Sequence, residues 1–378
     1  MFDVIVCGAG PAGSAAATVL ARGGARVLML DRAKFPRNKL CGDTINPGAV
    51  AILKSLDLFE RIEPLAIPVD GMIVTGERGV RVRAAYGPGA RGFAIPRRDL
   101  DHALAQAAVA AGARFEEGVL VRGPLVDDAD GAPRVRGVII AGRNGRDIRV
   151  PAPLVIAADG RRSRLAIPLG LTSHPAHPRR WAIGAYFAGV AGVTGFGEMH
   201  VRRGRYVGIA RVPSGLTNVC LVVPRPVSLR DPLAMIADVV AADVQLRDRF
   251  RDARVVTSGL VVGPLALDAS RAGMPGLLLA GDAAGFIDPM TGDGLRFAIR
   301  GGELAAAAAL AALAGKLSRP HERLAHERRR EFSAKWRFNR SLRRVVDRAI
   351  TVDLATLAAR AAPWILQRTI AFAGDVPR

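Results

Sequence analysis

Asp3-Val4-Ile5-Val6-Cys7-Gly8-Ala9-Gly10-Pro11-Ala12-Gly13-Ser14 decides how this chain begins to fold. Its first five residues form a nearly continuous apolar run, the pattern of a strand buried on both faces of a parallel sheet. Glycines follow at 8, 10 and 13, and Ser14 to Arg22 reads as a helix stopped by Gly23-Gly24. A second strand, Arg26 to Leu30, closes on Asp31. Each glycine has a mechanical reason: Gly8 permits a tight turn, Gly10 lets backbone approach a pyrophosphate, and Gly13 lets helix pack on strand. The helix start, with Pro11 and Ala12, offers free N–H groups and a positive dipole end to phosphates. Asp31, eighteen residues past Gly13, is placed to accept hydrogen bonds from an adenosine ribose, with Arg32 beside it. The order strand, turn, helix, strand, acid predicts a Rossmann-type dinucleotide site, and by itself it does not separate FAD from NAD.

Far along the chain, Gly276 to Ala280 reads as another buried strand, followed by Gly281-Asp282-Ala283-Ala284-Gly285, then Phe286 to Gly294, then a helix from about Leu295 to Leu313. This stretch resembles the GD motif of FAD-dependent oxidoreductases. The resemblance implies that Asp282 holds the ribityl chain and that the loop carrying Pro289, Gly292, Asp293 and Gly294 lies along the isoalloxazine. Physically, a glycine-rich backbone suits a flat ring, and the helix start suits the pyrimidine edge, where reduced flavin is negative. A dehydrogenase using NAD alone has no need of this second element, so the pair selects FAD.

Smaller features agree. The family carries a cofactor-contacting arginine three residues before a helix leucine; Arg97 has that register in Pro96-Arg97-Arg98-Asp99-Leu100, with Arg98 the competing candidate. Asp159-Gly160 after the strand Leu154 to Ala158 matches a DG motif linked to flavin and nicotinamide binding, and a plain turn is its alternative reading. GDAAGFIDPMTGDG (281–294) and the segment Lys39-Leu40-Cys41-Gly42-Asp43 are similar to the geranylgeranyl reductase-like branch of the p-hydroxybenzoate-hydroxylase-fold flavoproteins. The similarity runs from residue 1 to about 350, and is weakest between the motifs. It implies an α/β fold: a Rossmann-type FAD-binding domain of the glutathione reductase type, an inserted antiparallel-sheet substrate domain and a helical C-terminal region. Flavin halogenases carry a WxWxIP motif; here Trp181 is followed by Ala182-Ile183-Gly184.

Alternating segments at Val69 to Ala85 and Trp181 to Val223 predict strands of one sheet roofing the flavin. Asp231 to Phe250 reads as a helix, and Val255 to Val262 as the chain's return to the FAD lobe. We therefore expect a discontinuous FAD-binding domain at 1–68, 97–170 and 254–315, a substrate domain at 69–96 and 171–253, and a basic helical region at 316–378. No second glycine fingerprint is present, so NAD(P)H docks transiently or another electron donor replaces it.

The 378 residues carry 54 Lys plus Arg against 34 Asp plus Glu, a formal net charge of +20. Such a balance points to an anionic partner or to an arginine-preferring genome, and without interleaved aromatics or a recognisable module nucleic acid is not expected. Residues 316–378 hold 15 of the basic residues and 6 of the acidic ones. That region reads either as a helical cap, with Ala349 to Phe372 presenting an apolar face to the FAD lobe, or as an amphipathic surface resting on anionic membrane. Three scattered cysteines suit a reducing cytoplasm, an immediate strand leaves no room for a signal peptide, and no apolar helix is long enough to span a bilayer. The expectation is a cytoplasmic protein, with peripheral membrane contact as the alternative.

No Ser-His-Asp set, HExxH or paired carboxylates appear, so the flavin carries the chemistry. Cys41 is the candidate catalytic side chain, as proton donor or pocket former, against a plain buried thiol; Cys7 and Cys220 read as packing. Tyr186, His200 and Tyr206 are candidates to line the substrate pocket. Two functions compete: reduction of a carbon–carbon double bond in an isoprenoid or other apolar substrate, and monooxygenation of an aromatic or polyketide-like one. A third class, a non-catalytic FAD-binding or membrane-associated protein, stays open.

Overall fold

The computed structural model describes residues 1–127, 133–142, 144–177, 179–224, 230–347 and 361–375. Its helices, in chain order, are α1 (Pro11–Arg22), α2 (Pro47–Ser55), α3 (Arg97–Ala110), α4 (Pro232–Ala242), α5 (Gly294–Leu313), α6 (Pro320–Asp347) and α7 (Pro363–Ala373).

The opening run forms the strand Val4–Cys7, paired in parallel with Leu154–Ala157 on one side and Val27–Asp31 on the other. Leu277–Leu279 and Arg114–Glu117 extend this to a six-stranded sheet, with Gly273–Met274 as its antiparallel edge. The central strands are buried on both faces, which is why they read as unbroken apolar runs. Each fully buried Ile or Leu there contributes roughly 1.5–3 kcal/mol.

One face is covered by α1, α3 and α5 through a core dominated by alanine. Small residues let these helices come very close: a Cβ on Gly302 of α5 would lie 2.2 Å from the Ala12 carbonyl of α1. The scarcity of aromatics is thus a consequence of close helix packing. The other face is covered by a three-stranded antiparallel sheet, Val121–Asp127, Arg134–Ala141 and Asp147–Pro151, which the sequence reading did not resolve.

Both alternating segments enter one eight-stranded sheet, joined by a parallel pairing between Gly71–Thr75 and Phe196–Arg202. Two expectations change here. Val255–Val262 does not simply return the chain to the FAD lobe, because Arg254–Val255 and Leu260–Val262 pair with Arg180–Ala188 at the roof. The helix expected to reach Phe250 stops at Ala242, where Asp243 takes extended backbone angles and accepts hydrogen bonds in the next turn.

The basic C-terminal region packs on the lobe built around the six-stranded sheet. Leu324 and Phe332 of α6 are fully buried, and Phe332 meets Phe297 of α5 edge-on at 5.0 Å. Of the segment Ala349 to Phe372, residues 349–360 lie outside the described residues, and α7 accounts for the rest. No helix among the described residues is long and apolar enough to cross a membrane.

Candidate functional site

The two glycine motifs meet. A Cβ on Gly281 would lie 2.8 Å from the Ala12 Cβ, so the second cradle sits directly on the start of α1. Both face one cavity of about 540 Å³. Gly10, Pro11 and Ala12 line it on the first side, and Gly281, Asp282 and Pro289 on the second. Gly292 and Gly294 continue that wall; Lys39, Cys41, Arg97 and Gly160 complete the floor.

The glycines differ in what constrains them. Gly8 has φ 100°, and a Cβ there would strike the Ala158 carbonyl at 2.4 Å; one on Gly13 would sit 1.7 Å from the Gly8 carbonyl. Gly10 has ordinary extended angles, and its nearest neighbour would be Arg37 Nη2 at 3.6 Å. Nothing among the described residues requires glycine at position 10; its missing side chain leaves the backbone open on the cavity it lines. The helix ends agree: α1 and α5 both start without a side-chain cap and without an acid in the first turn. The α1 pole, with no acid beside its first turn, fits a pyrophosphate, while α5 begins on the same cavity at Gly294 with the buried Asp293 as its N-cap.

Sequence comparison identifies the cofactor class. A family described as FAD binding domain matches residues 1–195, just over half of the chain. A menaquinone reductase of Mycolicibacterium smegmatis is 32% identical over 321 residues, covering 80% of this chain and 75% of its own. A digeranylgeranylglycerophospholipid reductase of Methanosarcina mazei is 27% identical over 335 residues, covering 84% and 77%. The chain belongs to the FAD-dependent oxidoreductases of the geranylgeranyl reductase-like family. Among solved structures, a myxobacterial chondrochloren halogenase superposes with a TM-score of 0.81 over 99% of this chain and 95% of its own, at 20% identity, a likeness of fold alone.

Within this oxidoreductase the other expected residues divide. Asp31 accepts from Ala9 N and Ala33 N, both at 2.9 Å, so its carboxylate braces the glycine turn. Neither Asp31 nor Arg32, which is exposed, lines the cavity. Arg97 lines the cavity while Arg98 is exposed; the Arg97 guanidinium is gripped by Asp101 at 2.7 and 3.0 Å. Asp159 points away, its Oδ2 accepting from Arg164 N at 2.8 Å, so the carboxylate closes a turn and only Gly160 reaches the cavity. Asp293 is 1% exposed and also points away: it receives Asn46 Nδ2 at 3.2 Å and Lys335 Nζ at 3.4 Å.

The three pocket candidates are corrected. His200 is 2% exposed, yet pleating sends Met199 and Val201 to the cavity and His200 to the opposite face. There Nδ1 meets Thr75 Oγ1 at 2.8 Å and Nε2 meets Glu198 Oε2 at 2.9 Å, a satisfied core histidine. Tyr206 does not line the cavity but donates to Asp288 Oδ1 at 2.6 Å, and Arg180 reaches Asp288 Oδ2 at 3.4 Å, pinning the second glycine loop to the roof. Tyr186 also lies off the wall, and its hydroxyl donates to Asp43. Cys220, read as packing, is a cavity residue.

Electrostatically the floor is short of anions. Burial and the neighbouring Arg97 pull Lys39 down to about 8, and burial also lowers Arg161, whose Nε lies 3.5 Å from Asp282. Such a floor fits an anionic guest. Burial raises the Cys41 thiol, so it keeps its proton at neutral pH.

The walls beyond the cradles are apolar. Met72, Val74 and Val201 come from the roof, and Leu342, Thr369 and Ile370 from α6 and α7. The sequence reading offered the C-terminal region as a cap or a membrane surface and did not give it a share of the cavity wall. Helical spacing marks a buried face without saying what it covers.

Proposed function

We propose that this FAD-dependent oxidoreductase saturates carbon–carbon double bonds in an isoprenoid or other long apolar substrate. The observation that carries the proposal is the apolar extension of the cavity between the roof and α6–α7, adjoining the flavin cradles. The names of the relatives, reductases of menaquinone and of digeranylgeranylglycerophospholipid, support the same reading. Gly10, Pro11 and Ala12 would hold the pyrophosphate, Gly281 and Asp282 the ribityl chain, and Gly292 to Gly294 the ring. Once reduced by NAD(P)H or another donor, the bound flavin supplies a hydride. Cys41, a protonated thiol on the cavity wall, supplies the proton, and Arg97 offers the thiolate a cation. The exposed Trp364, Ile365 and Phe372 of α7, with Arg368 over the Trp364 ring, support peripheral contact with anionic membrane.

The deciding experiment reduces the enzyme anaerobically and adds polyprenyl substrates. Saturated product formed without oxygen supports the proposal. Product carrying labelled oxygen, formed only in air, would instead make the protein a monooxygenase.

A further inference from the structure

Cys41 is backed by an acid. Two residues on, Asp43 is 1% exposed and sits at φ 56°, a left-handed conformation that few residues with a Cβ adopt. Its carboxylate is held from several directions. Asn218 Nδ2 donates to Oδ2 at 2.6 Å, the Tyr186 hydroxyl donates to the same oxygen, and Arg97 N donates to Oδ1 at 3.1 Å. Tyr186 and Asn218 are direct cross-strand partners in the roof. Asn218 also donates to the Cys41 carbonyl at 3.0 Å, so one amide ties acid and thiol loop together. Arg97 gives its guanidinium to Asp101, which leaves Asp43 a buried acid hydrogen-bonded only to neutral donors. Tyr186 keeps part of its surface in solvent, and Cys41, two residues from Asp43, lines the cavity.

We propose that Asp43 and Tyr186 form a proton relay that reloads Cys41 after each turnover; this rests on Cys41 being the proton donor. The Cys41 S–H bond breaks as a C–H bond forms on the substrate. The thiolate then takes the proton of Asp43, whose O–H bond breaks. Tyr186 passes its phenolic proton to the Asp43 carboxylate and takes one from water. No electrons move in these steps; they arrive with the hydride from reduced flavin. The groups facing Asp43 are Cys41 on its own loop, Arg97 from α3, and Tyr186 and Cys220 from the roof. Burial raises Asp43 to about 6, so it exchanges protons near neutral pH, while burial keeps the Tyr186 hydroxyl protonated.

The test reads the thiol as well as turnover. The full-length, FAD-loaded protein is alkylated with iodoacetamide over a pH series, and peptide mass spectrometry follows Cys41 apart from Cys7 and Cys220. Asp43→Asn, an amide that tolerates the left-handed conformation, should lower the Cys41 midpoint by about one pH unit, because a nearby negative charge has gone. Tyr186→Phe keeps the acid and should leave that midpoint in place, yet cut kcat on the order of 10²-fold with KM little changed. The parent's kcat should fall as pH rises through about 6, and Asp43→Asn should lose that limb. A Cys41 profile unmoved in Asp43→Asn, or a Tyr186→Phe enzyme as fast as the parent, overturns the relay. Labelling needs no substrate, so a shifted profile beside a parent enzyme that saturates nothing counts against the reductase reading and leaves the Asp43–Cys41 coupling standing.

Discussion

Gly10 and Gly13 occupy one motif and answer to different neighbours. At Gly13 a methyl group would sit 1.7 Å from the Gly8 carbonyl, so Gly13→Ala must push α1 off its strand. We expect a loss of at least about 2 kcal/mol in urea unfolding, in the range of overpacked cores. At Gly10 the chain has room, and the side chain would enter the cavity. Gly10→Val should therefore fold with unchanged circular dichroism and purify colourless. A yellow Gly10→Val protein would mean that the phosphate loop is misassigned. The same distinction explains what could be read from sequence. Positions fixed by backbone geometry or by a helix start, such as Gly8, Gly13 and Gly281, follow a local pattern. Side chains fixed by distant partners do not: the carboxylates of Asp159 and Asp293 face away from the cavity because Arg164 N, in the first case, and Lys335 and Asn46, in the second, reach them first.

At the scale of elements, α6 and α7 are fastened to the second glycine loop by one buried cation. Lys335 is 4% exposed, lies 3.4 Å from Asp293 and 2.9 Å from Asp375, and donates to the Phe372 and Ala373 carbonyls at the end of α7. Lys335→Met should cost about 3–5 kcal/mol, because Asp293 is left buried without its cation. Burial already raises Asp293, and losing Lys335 raises it further. The folded variant then takes up a proton on acidification that the unfolded chain does not, so its deficit should shrink as pH falls. Urea melts at neutral and mildly acidic pH measure this; a deficit that is constant or grows on acidification would contradict it. The roof shows where strand reasoning succeeds and where it stops. Alternation at 69–85 and 181–223 correctly gave strands, but a period of two leaves open which face is the cavity, and His200 sits on the other one. The three-stranded sheet of 121–127, 134–141 and 147–151 escaped because its strands are half-exposed and its pairing is broken by register shifts, which blurs the alternation.

For the molecule as a whole, the charge of +20 makes contact with anionic surfaces testable. The protein should co-sediment with phosphatidylglycerol vesicles at low salt, release at high salt and ignore phosphatidylcholine. Equal binding to both lipids would remove the electrostatic part of the membrane reading. The fold class was legible from residues 1–31 and 276–294, since each motif is contiguous. The cavity's far wall was not, because it is assembled from segments hundreds of residues apart: Gly10 and Ile370 line the same space. That arrangement has a consequence for biogenesis. During synthesis the first cradle, made early, waits for the strand at 277–279 and for the loop behind it. Cofactor capture would then follow synthesis of residue 294, and a nascent chain stalled before it would carry only half of a dinucleotide site.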